Sequence, residues 1–263
     1  MTMTGTGKAG NVNDTFAGRT VLVTGGGSGI GRATAIAFGR AGAAVAVAGR
    51  SADSLTETTR LLSDLGADAS AHIADVTRSS DVTSLVTSVT TRHGRLDIAF
   101  NNAGAAFPGP AAELDEADWQ ASLDVNLTGV WLSMKAEIAW MRAHGGGCIV
   151  NMASTIGAHH SVPGMGAYAA AKAGVSALTR TAAREYIGDG IRINAISPGP
   201  IDTPRSRRPG ESDAQRDQRI AATVPIGRVG ALHEVADAVL WLASPAADFA
   251  VGHDLVLDGG STA

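Results

Sequence analysis

Thr20-Val21-Leu22-Val23-Thr24-Gly25-Gly26-Gly27-Ser28-Gly29-Ile30-Gly31 is the stretch that decides the fold. Its first residues form a short apolar, β-branched run of the kind that fills a strand buried on both faces. After the glycines, Ile30, Ala33, Thr34, Ala37 and Phe38 recur at helical spacing, and Gly42 stops the run. A strand therefore enters a glycine-rich turn and a helix leaves it. Such a turn presents backbone N–H groups at a helix N-terminus with no side chains in the way, which suits a dinucleotide pyrophosphate. The spacing is Gly25-x-x-x-Gly29-x-Gly31, not the general G-x-G-x-x-G.

Further strand-like runs fall at Ala44–Ala48, Ser70–Ala74, Leu96–Phe100, Cys148–Met152, Ile191–Ile196 and Leu255–Leu257. Helical patterns lie between them, near 29–41, 52–65, 79–93, 116–143, 166–187 and 233–243. Regular alternation predicts an α/β fold: a single Rossmann-like, doubly wound parallel sheet of about seven strands with helices on both faces. In such sheets ligands gather beyond the carboxyl ends of the strands. Gly25–Gly31, Asn102-Ala103-Gly104, Ser154 and Pro198-Gly199 each follow a predicted strand and so converge on that end. No linker or repeat divides the chain. We expect one dinucleotide-binding catalytic domain over 16–263, preceded by a flexible tail at 1–15.

Composition narrows the function classes. A hydrophobic content of 44% supports a substantial core, and a net charge of −4 gives no reason to expect nucleic acid or an anionic membrane as partner. No apolar run approaches the roughly twenty residues that span a bilayer. The single cysteine, Cys148, lies in a strand-like run and reads as a small buried hydrophobe. No His, Cys or carboxylate group has metal-ligand spacing, so no metal is expected. The expected compartment is the cytoplasm.

Tyr168-Ala-Ala-Ala-Lys172 carries the chemistry. On a helix, positions i and i+4 are neighbours. A free phenol, with a pKa near 10, is a poor proton exchanger at neutral pH, and an adjacent ammonium favours the phenolate and brings the group into general acid/base range. Ser154, at the end of an apolar run, can add a hydroxyl to the same substrate oxygen.

Together these residues resemble the short-chain dehydrogenase/reductase family in its single-domain form, from about Gly18 to Ser261. The matching motifs are Thr24 to Gly31, Asp75-Val76, Asn101-Asn102-Ala103-Gly104, Asn126, Ser154, Tyr168 with Lys172, Pro198-Gly199 with Thr203, and Asp258-Gly259-Gly260. The resemblance implies catalytic roles for Asn126, Ser154, Tyr168 and Lys172. It implies nucleotide contacts at Thr24, Gly25, Gly27, Ser28, Gly29, Ile30 and Gly31, an adenine site at Asp75 and Val76, and further contacts at Asn102, Ala103 and Gly104. On the nicotinamide side it implies Pro198, Gly199, Ile201 and Thr203, with Tyr168 and Lys172 touching the cofactor as well. In the implied mechanism Tyr168 exchanges a proton with the substrate oxygen, Ser154 polarises it, and Asn126 joins a water-mediated relay from Lys172. One departure stands out: Ser154 and Tyr168 are fourteen positions apart, one more than the family's most common separation.

Cofactor choice is argued at the end of the second predicted strand, Val45-Ala46-Val47-Ala48-Gly49-Arg50. An acidic residue about twenty positions beyond the glycine turn would bind both ribose hydroxyls and repel a 2′-phosphate. Here Gly49 stands there, followed by Arg50, whose guanidinium suits a phosphate monoester. NADP(H) is favoured, with NAD(H) as the alternative. The substrate pocket is expected to include Thr155, His160 and Met165, with His159 and Val162 nearby and Arg205 to Arg208 opposite, on a mobile lid over 204–210. The expected reaction interconverts a secondary alcohol and a ketone. Alternatives are a 3-oxoacyl thioester reductase, for which Arg184 matches one carrier-docking position but Ala139 does not match the other, an NAD(H)-dependent alcohol, sugar or steroid dehydrogenase, and a non-catalytic nucleotide-binding relative. Apolar positions on 116–143, 166–187 and 233–243 predict a homotetramer, with a dimer as the fallback.

Overall fold

Seven parallel strands form one sheet in the computed structural model, ordered β3-β2-β1-β4-β5-β6-β7. Residues 15–208 and 210–263 are described; the tail expected at 1–15 falls, apart from Thr15, outside them, as does Pro209 of the expected lid. The strands are β1 (Thr20–Thr24), β2 (Ala44–Gly49), β3 (Ala69–Ile73), β4 (Ile98–Asn101), β5 (Gly147–Met152), β6 (Ile191–Pro198) and β7 (Asp254–Leu257). The helices are α1 (Gly29–Arg40), α2 (Ala52–Asp64), α3 (Ser79–His93), α4 (Glu116–Leu123), α5 (Gly129–Ala143), a one-turn α6 (Thr155–Ala158), α7 (Gly166–Tyr186), α8 (Asp213–Ala221) and α9 (Leu232–Ala243). The predicted strands and helices are present, most within two residues of their expected ends.

Alternation along the strands sorts the core into two layers. Val21, Val23, Val45, Val47, Ile98, Phe100 and Val150 pack with Phe38 of α1 and Val235, Val239 and Leu242 of α9. Leu22, Ala46, Ala48, Ala99 and Ile149 point the other way, against Val89 of α3, Met134 and Ile138 of α5 and Val175 of α7. Strand order reverses between β1 and β4, whose loops separate there and open a crevice. Thr24 and Asn102 tie its two sides together. Thr24 Oγ1 accepts from the N–H groups of Asn102 (3.0 Å) and Ala103 (3.2 Å), and Asn102 Nδ2 donates to Thr24 O (3.0 Å) and Gly25 O (3.2 Å).

Two features depart from the expected elements. The helix expected at 116–143 is broken by a π turn at Asp124–Thr128, closed by a bond from Gly129 N to Asp124 O. Apolar spacing cannot register one extra residue in a helical turn, but such turns gather at functional sites. Helix α8 was not expected at all. Its hydrophobic signal is weak, yet Ser212 and Gln215 form a capping box: Ser212 Oγ accepts from Gln215 N (3.3 Å) and Gln215 Oε1 accepts from Ser212 N (2.9 Å). That S-x-x-Q signature was readable in the sequence.

A buried polar cluster lies between the sheet and helices α5 and α7. Asn101 and Asn151 face each other across β4 and β5. Asn101 Nδ2 donates to Glu137 Oε2 (2.9 Å) and Asn151 Oδ1 (3.1 Å), while Asn151 Nδ2 donates to Thr179 Oγ1 (2.9 Å). Glu137 is fully buried and its Oε1 has no partner. Burial raises its pKa to about 7, opposed only by the bond from Asn101. Its native pKa thus lies above the unfolded one, so its stabilising contribution is full at acid pH and is lost as pH rises toward 7. Raising the pH from about 5 to about 8 is expected to cost on the order of 3 kcal/mol through this group alone. Denaturant unfolding of the parent and Glu137→Gln at both pH values checks it. The substitution should flatten the dependence, whereas an unchanged slope would place the titration elsewhere.

Candidate active site

The strand C-termini open into a cleft of about 860 Å³. Its floor begins at the β1–α1 turn, where Gly25, Ser28, Gly29 and Ile30 face the space. Glycine is required here for room: a Cβ on Gly31 would lie 2.2 Å from Gly25 O, and one on Gly25 would lie 2.8 Å from Asn102 Nδ2. Ser28 caps α1 by position only, making no side-chain bond to the first turn. The N–H groups of that turn are available to an anion. Arg32 stiffens the turn from behind, donating to Gly27 O and to Thr58 Oγ1 (3.0 Å), while Thr58 Oγ1 donates to Gly26 O (3.0 Å). A narrow backbone cradle at a helix start fits a dinucleotide pyrophosphate.

Lys172 is buried at the wall of the cleft. Its side chain is 2% exposed, and Nζ donates to Met152 O at 2.6 Å. The ammonium lies 5.7 Å from the centroid of the Tyr168 ring, one turn earlier on α7. Ser154 ends the β5 segment as the N-cap of α6, its Oγ accepting from Ile156 N (3.1 Å). Thr155 Oγ1 donates to Pro198 O (3.2 Å), joining the loop after β5 to the end of β6. Asn126 lies in the π turn, wholly buried. Its amide is satisfied by the loop at Ala105 and by the preceding turn of α4: Nδ2 donates to Ala105 O (2.7 Å) and Ser122 O (2.9 Å), and Oδ1 accepts from Ala105 N (3.2 Å). A Cβ on Gly104 would come within 2.8 Å of Asn126 Oδ1 and 3.8 Å of Lys172 Nζ, so both side chains close on this glycine.

Asn126, Ser154, Tyr168 and Lys172 all border the one cleft, as do Asn102, Ala103, Gly104, Pro198, Gly199, Ile201 and Thr203 and the expected substrate residues Thr155, His160 and Met165. Thr24, Gly27, Gly31, Arg50, Asp75 and Val76 do not border it. Thr24 and Gly31 act from beneath, through the bonds and clearance described above. Arg50 is exposed at the end of β2, with no hydrogen bond or ion pair among the described residues. Burial opposes the charge of Asp75, yet bonds from Thr77 N and Oγ1 and the nearby Arg50 and Arg78 hold its pKa below the usual carboxylate value.

Residues the sequence did not single out complete the wall: Ile156, Arg219, Ile220, Thr223 and Val224, with Ser261 and Thr262 from the C-terminal turn. That turn is seated by Asp258, whose carboxylate accepts from Gly260 N (2.9 Å) and Thr262 Oγ1 (2.8 Å). Of the arginines expected to face substrate, Arg207 and Arg208 lie away from the cleft. Arg207 pairs with Asp213 (2.6 Å), Arg208 N donates to Glu211 Oε2 (2.8 Å), and neither side chain borders the cleft. Arg219 reaches it instead, held by Glu211 (2.7 Å) and Ser206 O (2.9 Å). His159 turns away to Asp254 (3.0 Å), while His160 stays at the cleft.

Comparison with known proteins agrees with this geometry. Residues 25–262 match the family model described as enoyl-(acyl carrier protein) reductase. The chain is 42% identical over 254 residues to a cis-4-hydroxycyclohexanecarboxylate dehydrogenase of Sinomonas cyclohexanicum, covering 96% of this chain and 100% of that protein. It is 43% identical over 250 residues to a 2,5-dichloro-2,5-cyclohexadiene-1,4-diol dehydrogenase of Sphingobium indicum, covering 94% and 98%. Among solved structures, a single-residue variant of actinorhodin polyketide ketoreductase with NADPH superposes with a TM-score of 0.88 at 35% identity, covering 93% of this chain and 97% of that one.

Proposed function

The chain belongs to the short-chain dehydrogenase/reductase family and is an oxidoreductase of CH–OH groups, and we propose that it interconverts a ring-borne secondary alcohol and its ketone with NADP(H), Tyr168 serving as the general acid and base. The observation that carries this reading is the convergence of Tyr168, Lys172 and Ser154 on the same cleft as the glycine turn. A bound nicotinamide would supply or accept the hydride.

Every other requirement falls on this chain. Tyr168 gives its phenolic proton to the carbonyl oxygen during reduction and recovers it during oxidation. Lys172, its charge held within hydrogen-bonding distance of Met152 O, lowers the proton affinity of the phenol. Ser154 fixes the oxygen between its own hydroxyl and the phenol, an arrangement suited to C=O reduction. Asn126 holds the Gly104–Ala105 loop over the ammonium, and we assign it the relay that returns protons from Lys172.

The ring preference rests on shape and on relatives. Ile156, Val162, Met165, Ile220 and Val224 give the cleft an aliphatic wall. The two relatives described above are named for alcohols on six-membered rings. NADP(H) is favoured by the exposed Arg50 beside Gly49, which puts a cation where an acidic residue would exclude a 2′-phosphate. The ketoreductase with NADPH supports the same choice.

Assembly belongs to the same proposal. Most apolar positions on the long helices are consumed internally: Leu132, Met134, Ile138, Val175, Ala182, Val235, Val239 and Leu242 are buried within the chain. Trp119, Trp131, Trp241 and Phe249 remain exposed, and large aromatic side chains in water favour a partner surface. A homotetramer of this chain would cover them.

Three outcomes test this reading. Tyr168→Phe should abolish nearly all oxidation of cyclohexanol-type alcohols, followed at the nicotinamide absorbance, while nucleotide affinity stays nearly intact; turnover within a few-fold of the parent would contradict it. Arg50→Ala should weaken NADP(H) by roughly 1.5–3 kcal/mol and NAD(H) far less, and equal losses would return the choice to NAD(H). Light scattering at micromolar concentration should report a multiple of the 26.6 kDa chain. A mass near one chain would show that the exposed aromatics need no partner.

A further inference from the structure

Asp254 opens β7 with a carboxylate that three elements of the site share. Its Oδ2 accepts from Ser176 Oγ (2.5 Å) and His159 Nε2 (3.0 Å), and its Oδ1 accepts from Ser197 Oγ (2.6 Å). The side chain is only 7% exposed. A carboxylate so far out of water needs such donors, and here each comes from a different working part. Ser176 lies one helical turn beyond Lys172 on α7, Ser197 immediately precedes Pro198-Gly199, and His159 belongs to the turn that follows Ser154.

The turn after Ser154 is seated specifically. Gly157 N donates to His160 O (2.9 Å) and His160 N to Thr155 O (2.7 Å). Gly157 has φ +136°, and a Cβ there would lie 2.8 Å from both Ala169 O and Ala173 N. The turn therefore rests on the helix segment that carries Tyr168 and Lys172. Ser176 and Ser197 stand on regular elements and keep their places without Asp254. Beyond one bridge between Ile156 and His160, the Ser154 turn is tied to the sheet at its start by Thr155 Oγ1 on Pro198 O and at its far end by the His159 contact with Asp254.

We propose that Asp254, acting through His159, Ser176 and Ser197, is a positioning residue that sets the Ser154 turn against the Tyr168–Lys172 helix and the nicotinamide-side loop. The proposal rests on the catalytic reading of Ser154, Tyr168 and Lys172. Neither Asp254 nor His159 borders the cleft, and His159 stands on the Ser154 turn alone, so removing the His159 contact acts on the placement of the Ser154 hydroxyl and not on nucleotide binding. Small displacements of a catalytic group cost turnover more than affinity.

The test compares the parent, His159→Leu, His159→Gln and Tyr168→Phe. The probe is whichever of cyclohexanol and cis-4-hydroxycyclohexanecarboxylate the parent oxidises faster with its preferred nucleotide. Leucine removes the donor to Asp254, whereas the glutamine amide can replace it. His159→Leu should lower kcat about tenfold or more, with reduced-nucleotide affinity, read by fluorescence, within about twofold of the parent. His159→Gln should recover kcat to within roughly threefold of the parent, which a merely space-filling role would not produce. The proposal is overturned if His159→Leu keeps kcat within about twofold, if the glutamine variant is as slow as the leucine variant, or if nucleotide affinity falls in parallel with kcat. Turnover retained by Tyr168→Phe would overturn the underlying acid–base reading instead, and that outcome is read independently of the His159 variants.

Discussion

A buried ammonium organises one end of the cleft. Lys172 is 2% exposed, and a charge withdrawn from water to that degree is tolerated only where oxygen atoms surround it. Met152 O at 2.6 Å meets part of that need, and in doing so fixes the end of β5 against α7. The end of β5 delivers Ser154, and α7 delivers Tyr168. Gly104 is small enough to let the Asn126 amide and the ammonium approach from the other side. The requirement to satisfy one cation thus brings together side chains that lie 46 residues apart, from Asn126 to Lys172, in the sequence.

The sheet supplies the frame for this arrangement. Parallel strands end on the same edge, and the reversal of order between β1 and β4 opens that edge into a crevice. Thr24 and Asn102 bond across the opening, so the nucleotide cradle and the loop over Lys172 are set by a few short contacts. Beneath them, Glu137, Asn101, Asn151 and Thr179 place polar groups in what is otherwise an aliphatic layer. Glu137 Oε1 and Asn101 Oδ1 are left without partners there, at a cost in stability.

Most of the fold was legible because its signals are periodic. Short β-branched runs and helical apolar spacing located all seven strands and the principal helices, and the glycine turn identified which end of the sheet opens into the cleft. That Tyr168, Lys172 and Ser154 would meet at one cleft was legible from a short helical spacing and a strand end, whereas Asn126 was found through the family resemblance. The remainder depended on geometry with no periodic trace. An extra residue in the helical turn at Asn126 leaves apolar spacing nearly unchanged, so the π turn was silent. Helix α8 buries little apart from Arg216 and Ile220, and only its capping box announced it. Arg219 could not be placed at the cleft before α8 was placed. His159 and His160 are adjacent in sequence and look equivalent, yet one binds Asp254 from β7 and the other borders the cleft. Only the path of the turn after Ser154 separates them.

The central claim is that Lys172 activates the Tyr168 phenol for proton exchange. The chain has two tyrosines, so ultraviolet difference titration can follow phenolate formation with little overlap. The account predicts that one phenol in the parent ionises well below the ordinary tyrosine range, that Tyr168→Phe removes this early step, and that Lys172→Met moves it upward. An early step absent from the parent, or one unchanged in Lys172→Met, would contradict it.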